Sequence, residues 1–201
     1  SRVLNDALSR LSPGTPPATR AELLLEAGLA DSNIRFPETA QAHFAAADEI
    51  FRADPPARTL FLMRKRDTYH ALDALNRGAF RETLADLERA GGTPATDQPL
   101  NDAATLAAIN QAPSGSAPNA VAVADAGQLS RLVLDAQTRY ARSVALLALN
   151  DVPGAITEIE AAAALYRPLS NERIEQGQLA WLGARIARQQ GRLQARRGGY
   201  D

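Results

Sequence analysis

Apolar residues recur along this chain at the three- and four-residue spacing that places them on one face of a helix. Ala40, Phe44, Ala47 and Phe51 form one such stripe, and Phe80, Leu84 and Leu87 a second. Leu129, Leu132, Ala136, Tyr140, Val144 and Leu147 form a third, Ile156, Ile159, Ala163 and Tyr166 a fourth, and Leu179, Leu182, Ile186 and Leu193 a fifth. Runs of β-branched and aromatic residues with a period of two are scarce, so the pattern predicts an all-α protein.

Helix-breaking and capping residues divide the pattern. Residues 1–18 form a lead-in, because Ser12-Pro13-Gly14-Thr15-Pro16-Pro17 interrupts regular structure. Thr19 followed by Glu22 matches a capping box and predicts a helix from Thr19 to about Ser32. A turn at Asn33–Pro37 leads into a second helix, and Asp54-Pro55-Pro56 ends it. A helix from about Ala57 to Asn76, a turn at Asn76-Arg77-Gly78-Ala79 and a short helix to Gly91-Gly92 complete two hairpins over residues 19–91. Residues 92–127, with Pro94, Pro99, Pro113 and Pro118, read as a partly irregular insertion holding one possible helix at Asn101–Gln111. Residues 128–201 supply a third hairpin, turning at Asn150-Asp151-Val152-Pro153, and a last helix from Asn171 to Arg197, expected to be the first helix of a truncated fourth hairpin.

Aligned on their turns, the hairpins place Phe36, Phe80, Val152 and Tyr200 in register, 44, 72 and 48 residues apart. Removing an insertion of roughly 25 residues makes the middle spacing similar to the others. In this register Ala27, Ala71, Ser143 and Gly191 recur nine positions earlier. Thr39, Thr83 and Ala155 recur three positions later, and Ala46, Ala90 and Ala162 ten positions later. Small residues at such places let antiparallel helices approach closely, while the large residue is expected to plug the mouth of the hairpin.

This arrangement resembles the tetratricopeptide repeat, a right-handed α-solenoid of antiparallel hairpins, although its period exceeds that family's usual length of about 34 residues and the signature Trp and Pro are absent. A narrower likeness lies in Asp31-Ser32-Asn33-Ile34-Arg35-Phe36, in Ala74-Leu75-Asn76-Arg77-Gly78-Ala79-Phe80 and in the segment Arg173–Arg188. Together these resemble the repeat region that precedes a CHAT domain, a caspase-like protease fold, in alphaproteobacterial proteins. The likeness covers most of residues 19–201. It implies a recognition or regulatory arm that lacks the catalytic His and Cys, and a bacterial protein of cytoplasm or periplasm.

Composition narrows the function classes. Net charge is −1, from 22 basic and 23 acidic residues, so no global field favours nucleic acid. No apolar run approaches the roughly 20 residues of a membrane span. The chain has no cysteine, which removes thiolate catalysis and zinc–thiolate sites. His43 and His70 lack companions at metal-ligand spacing. His43 aligns with Leu87 and Ile159 and is expected in the hairpin core; His70 is expected at an exposed or groove-edge position. Asp48-Glu49 and Arg64-Lys65-Arg66 read as solvated surface, and Trp181 as packing between the last helix and the third hairpin. No catalytic residue, metal or cofactor is expected, and the chain is read as a non-enzyme.

The most organised charged set is Arg185, Arg188, Arg192 and Arg196, whose i, i+3, i+7, i+11 spacing forms one stripe. The tetratricopeptide resemblance implies that this stripe lies on a concave groove, together with Lys65, Thr68, Leu72, Leu75, Asn76, Gln137 and Tyr140. A protein or peptide partner of unspecified identity is the leading expectation. A structural scaffold that self-associates through the open end at Asp201, and a small-molecule sensor using a pocket beneath the insertion, are the alternatives.

Overall fold

A computed structural model of the protein describes residues 2–92, 120–167 and 178–198, with side chains at 3–91, 130–167 and 181–198. The described residues are helical and contain no strand. They belong to two compact units, Ser1–Pro94 and Ala95–Asp201. The first unit contains α1 (Arg2–Ser9), α2 (Pro17–Asn33), α3 (Pro37–Ala53), a single 3-10 turn at Pro55–Ala57, α4 (Leu60–Asn76) and α5 (Phe80–Gly92). The second contains α6 (Ala120–Ala148), α7 (Val152–Tyr166) and α8 (Gln178–Arg197).

Consecutive helices pair as α2–α3, α4–α5 and α6–α7. Within the first unit α2 also packs on α4 and α1 on α2; within the second, α8 packs on both α6 and α7. The helix starts differ locally. Proline occupies the first position of α2 and α3, where its missing N–H has no intrahelical acceptor to lose. The α2 start is therefore Pro17, with no side-chain cap, and not a Thr19 capping box. Thr59 caps α4 by accepting from the Leu62 N–H at 3.2 Å, and Asp151 caps α7 by accepting from the Gly154 N–H at 3.0 Å. Helix α6 already runs from Ala120, so the insertion read at 92–127 ends earlier than its composition indicates. The possible helix at Asn101–Gln111, the start of the last helix at Asn171, and Gly177, Tyr200 and Asp201 lie outside the described residues.

Each hairpin turns through the same three-residue joint. Arg35, Gly78 and Asn150 adopt φ of 64°, 78° and 69°. The next N–H donates to the carbonyl five residues back: Phe36 to Asp31 at 2.9 Å, Ala79 to Ala74 at 2.8 Å and Asp151 to Leu146 at 2.9 Å. The left-handed residue itself donates three residues back, to Ser32, Leu75 and Leu147. These paired bonds are the Schellman arrangement, which satisfies the last carbonyls of the first helix.

The joint corrects the repeat register by one residue in the first hairpin. The residue two beyond the left-handed position is Pro37, Phe80 or Val152, so Phe36 is not the counterpart of Phe80. Phe36 is 59% exposed and plugs nothing. With the shift, the small positions become Gly28, Ala71 and Ser143; Ala40, Thr83 and Ala155; and Ala47, Ala90 and Ala162. All nine are buried, whereas Thr39 and Ala46 of the unshifted register face solvent. The large core position seven residues into the second helix is then Phe44, Leu87 or Ile159, each buried. Phe44, and not His43, is the core residue there.

Small residues matter at these seams because the helices are close. A Cβ on Gly28 would stand 2.8 Å from the Phe44 ring, and one on Gly183 would stand 2.3 Å from the Tyr166 hydroxyl. Gly191, by contrast, has open space. The core of the second unit gathers Ala136, Ala155, Ile159, Ala162, Leu182, Ile186 and Leu193, with Tyr140, Leu147 and Tyr166 against it. Fully buried Leu25, Leu72 and Leu87 anchor the first unit, each worth about 1.5–3 kcal/mol of transfer free energy.

Candidate functional site

Helices α2 and α4 face each other through polar pairs as well as apolar ones. Lys65 is buried, and its Nζ lies 2.7 Å from Glu22 Oε1 and 2.6 Å from Glu26 Oε1. Tyr69 donates its hydroxyl to Glu26 Oε1 at 2.9 Å, and Lys65 lies 5.6 Å from the centre of its ring. Burial, reinforced by the Glu26 and Glu22 carboxylates, pushes the Tyr69 phenol well above its ordinary pKa. One turn from the hairpin joint, Ser32 donates to Asp73 Oδ1 at 2.7 Å, while the Asn76 amide donates to Ser32 Oγ at 2.9 Å and to Asn33 Oδ1 at 3.2 Å. Asp73 Oδ2 accepts from Arg77 Nε at 2.9 Å. Lys65 and Asn76 therefore join helices, and Thr68 is enclosed completely. The Arg64-Lys65-Arg66 run is not a uniformly solvated face.

A polar pocket of about 400 Å³ opens on the other side of α4. Arg52 comes from α3, Arg58 from the segment after the 3-10 turn, Arg66 from α4 and Arg89 from α5. They share the wall with Asp48 and Asp67, while Phe51 and Met63 supply apolar surface. Arg66 donates to Asp67 Oδ1 from Nε at 2.9 Å and from Nη2 at 2.6 Å. Arg58 donates to the main-chain carbonyls of Phe51 and Arg52, the latter at 3.2 Å, and so covers the end of α3. Arg52 pairs with Glu49, and Arg89 with Asp86.

His70 closes this pocket. Its ring lies 4.8 Å from that of Phe44, centre to centre, and its Nε2 lies 3.4 Å from Asp48 Oδ2, longer than a well-formed hydrogen bond. Burial alone would raise the Asp48 carboxyl, but His70, Arg66 and Arg52 together hold it below its ordinary pKa. Asp48 is thus a half-buried pocket group and not plain surface. His43, which precedes Phe44 in sequence, has its Nδ1 3.2 Å from Asp31 Oδ2.

In the second unit the arginine stripe of α8 divides. Arg188, Arg192 and Arg196 are exposed, whereas Arg185 is half-buried, its guanidinium 3.3 Å from the centre of the Trp181 ring and 5.8 Å from that of Tyr140. Burial, with repulsion from Arg188, lowers its pKa from the ordinary arginine value. Trp181 thus serves as a shelf for Arg185. Gln137 is buried; Gln189, also buried, reaches Ser143, whose hydroxyl donates to the Ala155 carbonyl at 2.7 Å.

Of the expected groove residues, Arg185, Asn76 and Tyr140 are half-buried. Arg188, Arg192 and Arg196 present charge to solvent, and Lys65, Thr68 and Gln137 are internal to their units. Nothing in the sequence marks the pocket arginines as a group, because they lie 6, 8 and 23 residues apart, with no single helix face in common. Among the described residues no group of three His, Cys, Asp or Glu could hold a metal ion, and no helix is long and apolar enough to cross a membrane. Comparison with protein-family models, with curated proteins and with solved structures finds no match.

Proposed function

We propose that the chain is a non-catalytic module of tetratricopeptide-like helical hairpins that recognises a protein or peptide, as the recognition or regulatory arm of a larger CHAT-type protein. The observation that carries this reading is the common joint of the three hairpins, with Arg35, Gly78 and Asn150 in one conformation and the same pair of main-chain bonds. Hairpins repeated in this way bury their seams against one another and leave helix faces open, which is how repeat arrays present extended binding surfaces. The exposed Arg188, Arg192 and Arg196 on α8 offer such a face to acidic groups of a partner. In this reading the protease chemistry belongs to other residues of the larger protein, since this chain has no cysteine.

An array of overlapping peptides of varied sequence tests the reading. The chain is expected to select a subset of them. Joint replacement Arg188→Ala, Arg192→Ala and Arg196→Ala is expected to weaken that selection without loss of helicity by circular dichroism. An array without a single bound peptide removes the reading.

A further inference from the structure

We propose that the pocket between α3, α4 and α5 is a receptor for a peptide carboxylate, with the free C-terminus or an acidic side chain as its occupant. This deepens the reading of the chain as a peptide-binding module and rests on it. Four guanidiniums line it together with two carboxylates, Asp48 and Asp67. Two of the four have their own acidic partners outside the pocket wall, Glu49 for Arg52 and Asp86 for Arg89. Arg58 is different: it is held at the pocket wall by the main-chain carbonyls of Phe51 and Arg52 and not by a carboxylate. His70, whose Nε2 stands 3.4 Å from Asp48 Oδ2, lines the same pocket and reports on its occupancy.

The mixed lining decides the class of ligand. A phosphate dianion would meet Asp48 and Asp67 as well as the arginines, and like charges at that range repel. A carboxylate carried on a peptide brings one negative charge for the arginine forks together with backbone N–H groups that Asp48 and Asp67 can accept. The volume of about 400 Å³ accommodates a few residues, not a folded domain. Phe51 and Met63 provide apolar contact for the side chain beside the carboxylate.

The test uses a fluorescein-labelled pentapeptide with Asp at its penultimate position and a free C-terminus, its C-terminal amide, its Asp→Asn form, and inorganic phosphate. Binding is read by polarisation and by the ring resonances of His70, which are assigned by comparison with the His43→Asn variant because the chain has only two histidines. The acid peptide is expected to bind and to move the His70 resonances. Arg58→Gln is expected to weaken it about tenfold or more, the loss of a charge-assisted pair. Arg52→Gln, at an exposed residue whose replacement leaves the α3 end intact, is expected to weaken it in the same direction. Loss of binding with the amide assigns the terminal carboxylate, and loss with the Asn form assigns the side chain. Peptide binding that leaves His70 unmoved overturns the pocket while the peptide-binding reading stands. Phosphate moving His70 where the peptide does not, or no effect of either arginine change, overturns the carboxylate assignment.

Discussion

The ring of Phe44 lies against the backbone of Gly28, 2.8 Å from where a Cβ would stand, so α2 and α3 touch through a missing side chain. Gly28→Ala must push the ring away or spread the helices. We expect a loss of about 1–3 kcal/mol, the cost of overpacking a tight site. Urea denaturation checks it, and Phe44→Leu in the same chain is expected to recover part of the loss, because a double-mutant cycle isolates the contact.

Two other glycines separate space from backbone conformation. A Cβ on either Gly78 or Gly191 meets nothing within 4 Å, but Gly78 has φ of 78°. Gly191→Ala is expected to stabilise by about 0.5–1 kcal/mol through helix propensity, and Gly78→Ala to destabilise by about 1 kcal/mol through left-handed strain. Thermal unfolding of the two variants should move in opposite directions. Equal shifts would contradict the assignment of the joint.

Ser32 holds Asp73 at 2.7 Å across the α2–α4 seam. Ser32→Ala removes a hydrogen bond to a buried carboxylate and takes an acceptor from Asn76, at an expected cost of about 1.5–3 kcal/mol. The Arg77 contact at 2.9 Å limits the loss by keeping Asp73 paired. Combining Ser32→Ala with Asp73→Asn is expected to cost less than the sum of the two, measured by denaturant titration.

Tyr69 gives the fold an alkaline limit. Its folded pKa lies above the unfolded value, so the unfolded chain loses the phenolic proton first as pH rises. The Tyr69 contribution is therefore fully present below the unfolded pKa of about 10 and declines above it towards the folded pKa. Stability measured by urea between pH 8 and pH 11 should fall at the upper end, and Tyr69→Phe should flatten that fall.

Helix existence was legible from the apolar stripes because burial imposes the 3.6-residue period directly. The three hairpin turns were legible too, but their alignment was one residue out in the first hairpin. Phe36 resembles Phe80 in type, and an aromatic attracts an alignment. What the hairpins share is backbone conformation, and its residue is Arg in one turn, Gly in the next and Asn in the third. Gly and Asn advertise a left-handed turn, whereas Arg35 does not. The pocket was illegible for a related reason. Its arginines become neighbours only when α3, α4 and α5 are assembled, and each one by itself reads as a surface charge.

The uniformity of the joint has a practical meaning for protein engineering. Three residues with one backbone shape, flanked by the same two main-chain bonds, make a connector expected to be exchangeable between hairpins. Writing the Gly78 turn into the place of Arg35 would give the first hairpin a conformation that needs no side chain to tolerate it. A hairpin cassette standardised in that way could then be strung into longer synthetic arrays.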